Sequence, residues 1–367
     1  MKVISVRNVE EAIHKGLQLI YKEGIRETSR AGDVLVMPEP VVTVYEKPQE
    51  RVLFSPERDA NPFFHIFEAL FMLAGRQDAK WLDQFIHDFS SRFAEPDGRI
   101  HDAYGFRWRK HFDMEGGGSP YLPDQLDTIV KLLRNNPQDR QAVLVMWDPV
   151  ADLGVPGLKT RPCNTHCYLR VRSKVDVKVK PLTQAEKDAR ILKVDLNTGL
   201  VLDITVCCRS NDLWWGAYGA NACQFSILQE YLAARIVVGI GTYTQISNNY
   251  HLYFDMDEKA KKVLTAPIDG SYAYNVETTE LVTVPTEFDV DLERFMYRTA
   301  SSITPYLDKY EYRNCFFHEV AEPLFWANRY WKQKERQKAL AMLAQMPPRS
   351  DWRLAAYNWM QRRMGKE

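Results

Sequence analysis

Apolar and polar positions divide the chain into helical and extended stretches. Residues 9–23 set apolar groups at helical spacing among charged ones, which predicts an amphipathic helix. "VVTVYEKPQERVLFSP" (41–56) predicts a strand, a turn and a second strand. "NPFFHIFEALFMLAG" (61–75) opens on Asn-Pro, closes on Gly75 and is apolar on nearly all sides, as a buried helix must be. An amphipathic helix at 124–137 stops at Pro137, and a short buried strand at 141–149 ends at Pro149. A strand follows Cys163, another runs over 199–210, and a long apolar helix from Asn221 to Val238 closes on Gly239 and Gly241.

Between those two strands, residues 173–199 alternate and are charged, which predicts an exposed hairpin or inserted excursion. Beyond Asp255, "DMDEKAKKVL" and "TELVTVPTEFDVD" suggest helix and strand pieces, and residues 313–367 predict two or three helices rich in Trp and basic residues. No internal repeat or low-complexity linker interrupts the pattern. The predicted organisation is a main α+β domain over 1–290, carrying the 173–199 insertion, with a helical C-terminal extension over 291–367.

Composition narrows the class of partner. The chain has 367 residues, 45% of them hydrophobic, enough for a large core. Lys plus Arg equals Asp plus Glu at 48 each, so no global field draws nucleic acid or an anionic membrane, and phosphate must be held by a local pocket. The charged N-terminal segment and the absence of any apolar run of about 18 residues point to a cytoplasmic protein with no membrane partner. Six cysteines, two adjacent at Cys207 and Cys208, suit a reducing compartment better than a disulfide framework. Cys163, His166 and Cys167 lack a second pair at zinc-site spacing, so no metal is predicted.

Several positions invite chemistry, and each has an ordinary structural alternative. Glu68 lies within FFHIFEALFML, where burial raises a carboxyl pKa and suits it to proton transfer; alternatively it pairs with an arginine at the helix edge. Cys163, directly after Pro162, is either a nucleophilic thiolate stabilised by guanidinium groups or a buried structural cysteine. In "CRSND", Arg209 and Ser210 suit a phosphate oxygen, or a surface salt bridge. Asn221 presents an amide that can read a pyrimidine edge, or caps a helix. His251 and Tyr253 share one face of a strand, as sugar ligands or as core residues with satisfied polar tips.

Singly these signals are weak, but their order and spacing carry more. Arg30 in "SRAG", Glu68, Tyr104 in "AYGFRWR", Arg140 before Trp147, Pro162-Cys163, "CRSND", Asn221 and "HLY" together resemble the thymidylate synthase family over roughly residues 20 to 255. The resemblance implies a three-layer α+β fold with a mixed central sheet, and a homodimer packed through its sheets. It implies that Cys163 attacks C6 of a deoxypyrimidine monophosphate and that C5 then takes the one-carbon unit of 5,10-methylenetetrahydrofolate. Arg30, Arg209 and Ser210 match phosphate ligands, and Arg140 matches an arginine donated across the dimer interface. Glu68 matches the proton-transfer carboxylate, Tyr104 a tyrosine beside the cysteine, and Asn221 the base-reading amide. His251 and Tyr253 match ribose ligands, and Asp212 the folate-side aspartate.

The chain also departs from the pattern. Asn164 stands where the family usually has His, and Arg140-Gln141 replaces an arginine pair. One extra residue lies between Gly216 and Asn221. The folate-side tryptophan is absent near Phe89 to Phe93, with Ser90 or a phenylalanine in its place, and no closing apolar tail is recognisable in "MQRRMGKE". A site that excludes water poorly favours water over hydride at the C5 methylene. The expected reaction is therefore hydroxymethylation of dUMP, ahead of methylation to dTMP; dCMP hydroxymethylation ranks third, because an amide suits uracil. A different class is a nucleotide- or RNA-binding relative without turnover, using the basic, Trp-rich residues 326–363 as a partner surface, although nucleic acid is not the expected partner.

Overall fold

The computed structural model describes residues 1–112, 124–174, 199–300 and 311–364. Eight strands form one mixed sheet: β1 (Lys2–Val6), β2 (Ile25–Ser29), β3 (Gly32–Val36), β4 (Val41–Tyr45), β5 (Val143–Val145), β6 (Asn164–Ser173), β7 (Leu200–Asp212) and β8 (Gly239–Tyr253). The main order is β1-β4-β8-β7-β6-β5, with β3 joining the end of β8 and β2 pairing β3. The β1/β4 and β7/β8 pairs are parallel and the remainder antiparallel. This architecture agrees with the α+β class expected.

Helices cover one face of the sheet. They include α1 (Val9–Glu23), α2 (Pro62–Leu73), α3 (Tyr104–Arg109), α4 (Gln125–Asn135) and α5 (Asn221–Ile236). Next come α6 (Asp257–Thr265), α7 (Phe288–Ala300), α8 (Glu322–Lys332), α9 (Arg336–Ala344) and α10 (Asp351–Gln361). α5 packs on β7 and β8, α2 packs on α5, and α8 and α10 pack on α2. The all-round apolar character of α2 follows from this position between layers. Phe67 of α2 stacks on Phe85 and Phe295 and meets Phe325 edge-on, so the C-terminal helices share its core.

The opposite sheet face is more open. Tyr168 is 51% and Val143 38% exposed, and the Arg170 side chain is exposed beside them.

Two predicted strands do not form. Only Val41–Tyr45 of the 41–56 stretch joins the sheet. Downstream, the backbone is satisfied by side chains: Val52 N–H donates to the Tyr272 hydroxyl (3.0 Å), and the N–H groups of Phe54 and Ser55 donate to the Glu10 carboxylate. Likewise in "TELVTVPTEFDVD", Leu281 N–H donates to Glu230, Thr283 N–H to Asn314 and Thr279 N–H to Asp351, while the end of the stretch starts α7. Buried N–H groups need partners, and a side-chain carboxylate or amide serves as well as a ladder. The 141–149 strand is shorter than predicted, and Pro149 opens a helical turn instead. Most of the 173–199 insertion, residues 175–198, lies outside the described residues.

Candidate active site

Cys163 immediately precedes β6. Its backbone is fixed on both sides: its carbonyl accepts from Arg209 N–H (2.9 Å), and its N–H donates to the Tyr104 hydroxyl (3.2 Å). Asn164 N–H donates to the same hydroxyl at 3.3 Å, so the Tyr104 oxygen is held by two amides and its own proton is left to point elsewhere. A register shift in β6 between Asn164 and His166 lies beside this junction, where bulges commonly aim a side chain. α3 brings Tyr104 here by approaching the α2 backbone very closely: a Cβ at Gly105 would lie 1.9 Å from the Met72 carbonyl oxygen.

Arg209 reaches over the thiol. Its Nε donates to the Pro162 carbonyl (2.8 Å), one terminal nitrogen donates to the Arg161 carbonyl (3.0 Å), and that nitrogen stands 4.0 Å from Cys163 Sγ. Burial pushes the Cys163 thiol up, Arg209 draws it down, and Asp102 and Asp212 oppose Arg209. Among the described residues, Arg209 is the guanidinium that draws the thiol down.

The remaining predicted residues gather around this centre, with one exception. Ser210 and Asp212 extend β7 opposite Asn249 and His251 of β8. Tyr253, T-stacked on His251 at 5.1 Å, lies within electrostatic range of Asp212, Cys163 and Arg30. Arg30 is exposed in the β2–β3 turn, with no side-chain hydrogen bond among the described residues. Arg140 is the exception. It precedes β5, whose Val143 pairs with Tyr168, five residues along β6 from Cys163. At about 3.3 Å per residue this is roughly 16 Å or more, too far for contact within one chain.

Asn221 belongs to a run of amides. Its Oδ1 accepts from Asn164 Nδ2 (3.3 Å), and its Nδ2 donates to Asn211 Oδ1 (3.1 Å). Asn211 in turn donates to Ser247 (2.9 Å), and the Cys208 thiol donates to Asn164 Oδ1 (2.6 Å). Asn221 keeps one lone pair and one hydrogen. Turning the amide over sets amino group against amino group and carbonyl against carbonyl unless its neighbours also turn. The segment where the extra residue is expected, Leu213–Ala220, is a wide π-helical turn broken at Tyr218 and Gly219 and closed by the Asn221 N–H to Gly216 carbonyl bond. Gly216 is itself constrained, since a Cβ there would meet Asn211 Oδ1 at 2.5 Å.

Glu68 projects from α2 towards the cleft. Its carboxylate accepts from Gln224, and burial pushes its pKa up to about 8 while Asp102 adds to the rise. No arginine pairs with it among the described residues, which removes the edge-salt-bridge alternative. Asp212 caps the π turn through Oδ1, which accepts from Trp215 N–H, and burial pushes its pKa up to about 6. Its Oδ2 is buried with no hydrogen-bond partner among the described residues.

Sequence reasoning missed several supporting residues. Asn211 stands in the quoted "CRSND" but gave no sign of joining Asn221 to Ser247. Arg58 stacks on Trp214 (4.6 Å) and donates to its carbonyl (2.8 Å), while neighbouring Asp59 pairs with Arg362 and Arg363 from the end of α10. Arg107 and Asp152, both fully buried, form a bidentate pair at 2.7 and 2.8 Å that anchors α3. Cys163, His166 and Cys167 do not converge; among the described residues the group spaced for a metal is Cys315, His318 and Glu319.

A family model for thymidylate synthase matches residues 14–300. The chain belongs to the thymidylate synthase family. Its relatives within that family include a deoxyuridylate hydroxymethyltransferase of Pseudomonas phage M6, 39% identical over 376 residues, covering 99% of this chain and 95% of the relative. A deoxyuridylate hydroxymethyltransferase of Bacillus phage SP01 is 32% identical over 304 residues, 79% of this chain and 70% of that one. The thymidylate synthase of Candida albicans is more distant, 25% identical over 217 residues, 54% of this chain and 64% of that protein. Thymidylate synthase-family enzymes are C1 transferases that use methylenetetrahydrofolate, and no helix among the described residues is long and apolar enough to cross a membrane.

Proposed function

We propose that the protein transfers a hydroxymethyl group to C5 of dUMP in the cytoplasm of an infected host. The observation that carries this reading is the near full-length likeness to a phage deoxyuridylate hydroxymethyltransferase. The free valences of Asn221, one acceptor and one donor beside Cys163, support uracil as the base.

In this reading Cys163 Sγ bonds to C6 of the pyrimidine, and the electron pair moves towards O4 and makes C5 nucleophilic. Arg209, Arg30 and Ser210 hold the phosphate, and His251 and Tyr253 face the ribose. Tyr104 directs its free O–H into the cleft. When bound, 5,10-methylenetetrahydrofolate supplies the one-carbon unit. The unpartnered, buried Oδ2 of Asp212 fits the donor-rich edge of a pterin, and that carboxylate is the residue proposed to hold it. Glu68 exchanges protons with the ring. Loss of the C5 hydrogen, with cleavage of the bond from the one-carbon unit to the folate nitrogen, would leave an exocyclic methylene, and water added there gives the hydroxymethyl product as the thiolate departs.

Product analysis tests the choice of water over hydride. Incubation with dUMP and the folate is expected to give 5-hydroxymethyl-dUMP and regenerate tetrahydrofolate. Dihydrofolate appearing in step with dTMP refutes it.

The site is proposed to be completed in a homodimer through the open sheet face around Tyr168 and Arg170, with Arg140 reaching the partner's phosphate site. Sedimentation equilibrium is expected to report a dimer, and a monomer at assay concentration refutes this arrangement.

Glu68 sets a pH dependence. With its pKa raised to about 8, the group is mainly protonated at neutral pH and loses its proton above that value. An acid role predicts that kcat/KM for dUMP falls as pH rises through about 8. Glu68→Gln is expected to remove this limb and lower kcat by about 10²- to 10⁴-fold. A pH–rate profile unchanged by the substitution excludes Glu68 as the titrating group.

A further inference from the structure

Asp102 has no part in the mechanism above, yet it sits at its centre. It lies two residues before Tyr104 in the approach to α3, and its Oδ1 accepts from the Thr160 hydroxyl at 2.7 Å, three residues before Cys163. Both segments that frame the thiol therefore hold this carboxyl. It is within electrostatic range of Glu68, Cys163 and Tyr104 together. The side chain is half-buried, as is that of Glu68.

A purely structural role fits poorly. Nearby Arg107 and His101 give their hydrogen bonds to Asp152, and among the described residues the side-chain partner of Asp102 is the neutral Thr160 hydroxyl. Desolvating a carboxylate whose hydrogen-bond donors are one hydroxyl and its own backbone N–H is costly, and such costs are concentrated at sites of chemistry. Glu68 is held in its acid form by burial and by the Asp102 charge. Burial also raises Asp102, but Thr160, Arg107 and His101 favour its ionised form. Both carboxyls are raised, and Asp102 has more partners that favour its charged form than Glu68 has.

We propose that Asp102 is a further catalytic residue, the base that binds the attacking water beside Cys163 and takes its proton as the hydroxymethyl group forms. The proposal rests on the hydroxymethylation reading. The water oxygen bonds to the exocyclic methylene carbon, the C5–CH₂ π pair moves into the ring towards O4, and the water proton passes to Asp102. The pair then returns from O4 and forms C5=C6, the C6–S bond breaks, and Cys163 leaves as thiolate. Asp102 then returns its proton to solvent. The step is neither an oxidation nor a reduction and needs no further reactant.

The test compares two products of one turnover in the full-length protein. Tritium release from [5-³H]dUMP reports the steps up to the methylene, and 5-hydroxymethyl-dUMP reports the water step. In Asp102→Asn the ratio of hydroxymethyl product to tritium release is expected to fall about 10²-fold, the scale of general-base catalysis. Added 2-mercaptoethanol should then capture the stranded methylene as a thioether, and the Glu68 limb should move to lower pH because a like charge is gone. Thr160→Val, which keeps the carboxylate but frees it, should lower the ratio several-fold, and it decides the matter if Asp102→Asn does not fold. An unchanged ratio, whether both rates fall together or neither does, overturns the role of Asp102. A wild-type protein that makes dTMP and dihydrofolate overturns both this proposal and the reading beneath it.

Discussion

Cys163→Ala is expected to abolish turnover and, with it, exchange of the C5 hydrogen of dUMP into solvent. The loss should be at least roughly 10⁴-fold, because removal of a covalent nucleophile leaves only binding and electrostatics. dUMP affinity should change far less, since the phosphate is assigned to Arg209, Arg30 and Ser210, none of which depends on the sulfur for its place. Arg209 is anchored to the Pro162 and Arg161 carbonyls. Exchange measured by tritium release, alongside equilibrium binding, separates these outcomes. Residual exchange in the variant sinks the covalent mechanism, whereas lost binding with intact exchange per bound nucleotide reassigns the residue to the pocket wall. The same measurement excludes a nucleotide-binding relative without turnover, which shows no exchange in either form.

The second large effect falls on stability. Asp152 and Arg107 are both 0% exposed, and Asp152 also accepts from His101 Nε2 at 2.7 Å when that nitrogen carries a proton. Asp152→Ala strands the Arg107 guanidinium in the core, which costs about 3–5 kcal/mol. Urea unfolding should show a correspondingly lower midpoint with an unchanged slope. Replacing both partners with apolar residues of similar volume should recover much of the loss, because the unpaired charge is then gone. A single variant within 1 kcal/mol of wild type, on the order of an ordinary surface change, refutes the assignment. Since Arg107 lies one turn beyond Tyr104 on α3, the destabilised variant should also bind nucleotide less well before it unfolds.

The helices were legible where apolar spacing was strong. α1, α2, α4 and α5 lie close to their predicted ranges because a 3.6-residue period, Asn-Pro entry and Pro or Gly exits all agree. Strand character at 46–56 and 279–291 misled, because extended apolar sequence does not say whether a neighbouring strand or a distant Glu10, Glu230 or Asn314 side chain satisfies the backbone. β1, β2 and β3 passed unpredicted, being short, with β2 largely exposed. At the site, residue types in family order carried the assignments of Cys163, Tyr104 and Asn221. Asp102 and Asn211 escaped because their significance is wholly spatial: Thr160 is 58 positions from the first and Ser247 is 36 from the second.

The wide turn before α5 has a consequence for how such chains diverge. An added residue inside an ordinary helix rotates everything beyond it by about 100°, carrying side chains off their face. A wide turn broken at Tyr218 and Gly219 can take up such a residue before α5 begins, while Asn164 and Asn211 hold the amide of Asn221 in place. Length variation in this turn need not shift the register of α5, so comparison of related chains should admit a gap within helical sequence.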